Sequence, residues 1–62
     1  MSFVQYEIWG VLDGHENVIE CVPTLKEAEE IAENEQEFHD EVYILKDEDG
    51  LDPVEVKRFK GL

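Results

Sequence analysis

Between Pro23 and Asp40 the apolar residues recur at helical spacing, and on both sides of that stretch they alternate, so the chain can supply one helix and otherwise only strands. Pro23 ends the segment before it. Thr24 followed by Glu27 has the spacing of a capping box, in which side chains satisfy the free backbone N–H groups of a first helical turn, and this predicts a helix starting at Leu25. Leu25, Ala28, Ile31 and Ala32 form an apolar stripe opposite Glu30, Glu33 and Glu37. Continued to Phe38 and His39, the helix would carry Glu35 into that stripe, where an unpaired carboxylate costs several kcal/mol to bury. The expectation is therefore an end or bend near Asn34, or else an overhang that leaves Glu35 wet and Phe38 closing the core edge.

Ahead of the helix, Phe3 to Leu12 reads as a strand, with Val4, Tyr6, Ile8 and Leu12 on one parity and Phe3, Gln5, Glu7, Trp9 and Val11 on the other. Asp13-Gly14 then turns the chain into Asn17 to Val22, a hairpin. After the helix, Val42 to Leu45, a loop from Asp47 to Pro53 and the alternation from Val54 to Phe59 predict a second hairpin. Residues 1–62 thus form one small α+β domain of order β-β-α-β-β, a single antiparallel sheet with one helix packed on one face. A chain this short buries only about 60% of the surface its unfolded form exposes, so its core is marginal.

The expected core parity is Tyr6, Ile8, Ile19, Cys21, Val42, Ile44, Val54 and Val56, which leaves Trp9, Val11, Val18, Tyr43, Leu45 and Phe59 on the other face. Contiguous apolar surface of that kind marks an interface unless strand twist and the terminal segments cover it. Trp9, Tyr43 and Phe59 are the candidate partner-binding anchors.

Seventeen acidic residues against five Lys and Arg give a net charge of −12. Nucleic acids and anionic membranes are held by cations, so this charge excludes both as direct partners and favours a basic protein. Glu27, Glu30, Glu33, Glu37 and Glu41 place carboxylates at regular intervals along the helix side, where they could mimic the phosphates of a nucleic acid; the plain alternative is a solvated face. Lys57, Arg58 and Lys60 cluster beside Phe59, a group too small for a phosphate track and suited to offsetting the acidic helix.

No residue pattern points to catalysis, a metal or a cofactor. Aligning Gly50 with the glycine of a calcium loop puts Leu45 at the first ligand position and Val56 at the bidentate one, so Asp47, Asp49 and Asp52 read as a hairpin loop. His15 and His39 lack a second histidine at metal-binding spacing, and the only serine is Ser2. Cys21 is the single cysteine and alternates with Ile19 toward the core, where a thiol is inert. A lone cysteine and the lack of a long apolar run or a basic-then-apolar start fit a cytoplasmic protein.

In size, acidity and β-β-α-β-β pattern the whole chain resembles the short acidic proteins that bacteriophages and other mobile elements encode to bind and disable host enzymes. That resemblance implies an inhibitor or adaptor that works by occupying a surface. The functional expectation is a non-enzymatic protein-binding module, an inhibitor of a host nucleic-acid-binding enzyme, using the acidic helix face and the aromatic sheet patch. The alternative is a small structural homodimer joined through the apolar sheet face. Charge makes a prediction on stability that is independent of function: raising salt from ~10 mM to ~500 mM screens the self-repulsion and raises the thermal midpoint by a few degrees, as followed by circular dichroism.

Overall fold

The helix starts where its capping pattern places it. In the computed structural model, which describes residues 3–62, the Thr24 hydroxyl accepts the Glu27 backbone N–H at 3.3 Å and donates to the Glu27 carboxylate at 3.1 Å. Strands β1 (Val4–Leu12) and β2 (His15–Val22) precede helix α1 (Leu25–Glu35), which tightens into a 3-10 turn over Gln36–Phe38; β3 (Glu41–Glu48) and β4 (Val54–Lys60) follow. The α-helix ends at Glu35, one residue past the expected end near Asn34, and Glu35 at that end is half-buried and not enclosed. Phe38 is 63% exposed and does not close the core edge.

All neighbouring strands are antiparallel in the order β2-β1-β3-β4, so the two hairpins lie side by side with β1 and β3 central. The β1–β2 connection is a two-residue turn in which Asp13 (φ 52°) and Gly14 (φ 79°) are both left-handed, the conformation that matches strand twist and that Asp-Gly adopts readily. Asp40 locks this turn to the rest of the fold: its carboxylate accepts the Asp13 N–H at 3.0 Å, and its own N–H donates to the Val11 carbonyl at 2.7 Å.

The helix lies across one sheet face, where Ala28 and Ala32 sit against Ile8, Val42 and Ile44, and all five are fully buried. Tyr6, Ile19, Val22, Ile31 and Phe59 pack around them. Small helix residues let the backbone approach the sheet closely, and Ile8 stands directly opposite Ile44 at the centre. Gly10, also buried, makes room for the His39 ring, whose Nε2 would lie 2.7 Å from any Cβ there. The ring is held by Nδ1, 3.0 Å from the Glu35 carbonyl oxygen, which assigns the proton to Nδ1.

Two β-bulges overturn part of the expected face assignment. Ile8 pairs with Glu20 and Trp9 with Val18, so Ile19 is an extra residue; Ile44 pairs with Lys57 and Leu45 with Glu55, so Val56 is extra. Each insertion reverses the parity of one strand beyond it. Cys21 is therefore exposed opposite Glu7, and Val22 packs toward the core in its stead. Phe59 pairs with Val42 and belongs to the helix-side core, where Lys57 Nζ lies 5.1 Å from its ring centroid. Val54 and Val56 are largely exposed and add little to the core.

The Gly10–His39 contact yields a stability prediction. Gly10→Ala should lower unfolding free energy by about 1–3 kcal/mol through overpacking. Adding His39→Ala should recover part of that loss, because the two residues share one space; a denaturation double-mutant cycle with no coupling would contradict the contact.

Candidate interaction face

The uncovered side of the sheet is ordered as a ladder. One row crosses all four strands, Val18 on β2, Trp9 on β1, Tyr43 on β3 and Arg58 on β4, each directly opposite the next. The Trp9 and Tyr43 rings are parallel within 3° with centroids 6.3 Å apart, and the Arg58 guanidinium lies 4.6 Å from the Tyr43 centroid. Tyr43 is thus enclosed by its neighbours and only 8% exposed, although no helix covers it.

Carboxylates bind the polar ends of this row. Trp9 Nε1 donates to Glu7 at 3.0 Å and the Tyr43 hydroxyl donates to Glu16 at 2.6 Å. Arg58 reaches Glu55 at 2.6 and 3.2 Å and Glu41 at 3.2 Å. These contacts hold Glu55 below its usual pKa through the Arg58 hydrogen bond, and they hold the guanidinium firmly protonated through Glu55 and then Glu41. Removal from water, aided by the Glu16 hydrogen bond and charge, pushes Tyr43 up to about 12. The exposed Cys21 thiol is also raised, first by partial desolvation and then by Glu7, Asp47 and Glu20, so it is a poor nucleophile at neutral pH.

Of the three expected anchors, the structure brings Trp9 and Tyr43 together and puts Phe59 on the helix side of the sheet. Glu27, Glu30, Glu33 and Glu37 are exposed along α1 and its 3-10 turn, with Glu27 held by the cap. Among the described residues no ion pair reaches Glu30, Glu33 or Glu37. Glu41 is not part of that side: the helical register ends before it, and as the first residue of β3 it binds Arg58 on the open face. Lys57 pairs with Glu29 at 2.8 Å and Lys46 with Glu48 at 2.8 Å.

The bonds that tie Glu7 and Glu16 to the aromatic pair were not foreseen from sequence. Alternation puts Glu7 beside Trp9 and Glu16 beside Val18, in the register that the Asp13-Gly14 turn sets, but the bond from Tyr43 to Glu16 spans two strands and is visible only in the fold. Among the described residues there is no group of three His, Cys, Asp or Glu side chains arranged for a metal ion, no concave pocket, and no helix long and apolar enough to cross a membrane.

Tyr43 gives this face a pH dependence. Its folded pKa lies above the unfolded value of about 10, so its contribution to stability is complete below pH ~10 and is lost as pH rises through the folded value. Tyrosinate absorbance should show a group titrating near pH 12, and Glu16→Gln should bring that midpoint down. A midpoint unmoved in Glu16→Gln would refute the Glu16 charge as a cause, since glutamine keeps an acceptor oxygen for the Tyr43 hydroxyl. Comparisons with protein-family models, curated proteins and solved structures gave no match to this chain, so its functional reading rests on the surfaces described above.

Proposed function

We propose that this chain is a non-enzymatic protein-binding module that docks a basic protein surface on its open sheet face and inhibits a nucleic-acid-binding enzyme by occupying that surface. The observation that carries the reading is the Trp9–Tyr43 pair on the uncovered face, bordered by Glu7, Glu16, Glu41 and Glu55. An aromatic centre inside a charged rim is the composition of a binding hot spot. Enzymes that handle nucleic acid present clustered Lys and Arg, and a net charge of −12 draws such surfaces in.

The same rim disfavours the homodimer. Docking two copies face to face would bring two sets of these carboxylates into one interface, where like charges oppose association. The exposed acids of α1, on the opposite side of the sheet, extend the attractive field and can stand in for phosphates on a second part of the partner.

Tagged protein incubated with lysate of its source should retain a basic nucleic-acid-binding enzyme at low salt and release it at high salt. With that enzyme purified, Trp9→Ala should mainly speed dissociation, while the pair Glu30→Lys and Glu33→Lys should slow association and flatten its salt dependence. Recovery of the chain alone, with a dimer mass in sedimentation at micromolar concentration, would instead favour self-association.

A further inference from the structure

The open face carries its own example of how it binds a cation, and that example is half of a repeated arrangement. A local two-fold axis between Trp9 and Tyr43, which antiparallel pairing of β1 and β3 creates, relates the two halves position by position. It carries Tyr43 to Trp9, and Glu41, two residues before Tyr43, to Glu7, two residues before Trp9. On the outer strands it carries Arg58 to Val18, and Glu55 to Glu16, the next residues along the open face. One half is an aromatic ring, two carboxylates and an arginine. The other half is an aromatic ring, two carboxylates and a valine.

Resting on the binding-module reading, we propose that the β2 side of the face is a seat for one arginine side chain of the partner, stacked on Trp9 over Val18 and forked between Glu7 and Glu16. Val18 is 51% exposed and has no polar atom, so the position that Arg58 fills in the first half lacks a guanidinium in the second. Among the described residues Glu7 and Glu16 accept side-chain hydrogen bonds only from the neutral Trp9 N–H and Tyr43 O–H, and neither has an ion-pair partner. Each carboxylate keeps further lone pairs for an incoming donor. A planar guanidinium can stack on a ring and give separate N–H groups to two acids at once, which a lysine ammonium cannot match. Indole is also a better cation–π partner than the phenol ring that already holds Arg58.

Two short peptides of alternating glycine and either arginine or lysine, equal in charge, serve as probes against the intact chain, with the Trp9 indole N–H resonance as readout. The arginine peptide should shift that resonance saturably and bind about 5-fold tighter than the lysine peptide. Glu7→Gln and Glu16→Gln should each weaken it about 3-fold or more. Val18→Arg should abolish the response and raise the thermal midpoint, since the strand then supplies its own guanidinium as β4 does. Equal responses to both peptides, or a response that survives in Val18→Arg, would overturn the seat and leave only diffuse charge attraction. A partner enzyme retained equally by the wild type and by Val18→Arg would also overturn the seat while leaving the module reading intact. Arginine-selective binding at Trp9 without any retained partner would support the seat and count against the module reading.

Discussion

Everything in this fold depends on the contact between the small stripe of α1 and the paired isoleucines at the sheet centre. Ala28 and Ala32 bring the helix down onto Ile8, Val42 and Ile44, and these five residues are the fully buried core. Burying the three large ones yields only about 1.5–3 kcal/mol each. That gain is set against chain entropy and the self-repulsion of a strongly acidic molecule. A single helix of this length covers one face, so the other must be stabilised by side chains of the sheet itself.

The cross-strand row does this. Trp9, Tyr43 and Arg58 bury one another's flat surfaces without a second layer, and an aromatic pair of this kind adds about 0.5–1.5 kcal/mol beyond its burial. The expected anchors consequently have three different roles. Tyr43, nearly enclosed, braces the sheet; Phe59, on the other side, closes the core; Trp9, half-buried at the end of the stack next to exposed Val18, is the anchor left to the proposed partner.

Periodicity made the architecture legible. The switch from two-residue to helical spacing at Thr24, the Asp13-Gly14 turn and the Pro23 stop together fix element order, and the capping pair places the helix start at the right residue. What alternation could not show were the bulges at Ile19 and Val56, because an inserted residue leaves no mark on composition yet reverses every side chain after it. Cys21 and Phe59 changed sides for that reason. Glu41 was misplaced for a different one: its spacing continues that of Glu37, but the backbone leaves helical geometry after Phe38. Gly10 resembles a flaw in β1 until His39, far along the chain, is seen to occupy the space it leaves.

The placement of charge decides which acids matter to a docking partner. Lys46, Lys57 and Arg58 are engaged within the fold by Glu48, Glu29, Glu41 and Glu55, so the compensated acids lie mainly on the β3–β4 side. Glu7 and Glu16 on the open face, and Glu30, Glu33 and Glu37 on the helix, lack such partners among the described residues. These two sets lie on opposite sides of the sheet, with the sheet and the helix backbone between them. Screening acts over about 8 Å at physiological ionic strength, so a cation arriving at Trp9 feels Glu7 and Glu16 far more than the helix. In the proposed complex the helix acids therefore act on approach, at low salt, whereas the acids beside Trp9 act in the bound state, where water is excluded and a charge pair has its greatest effect.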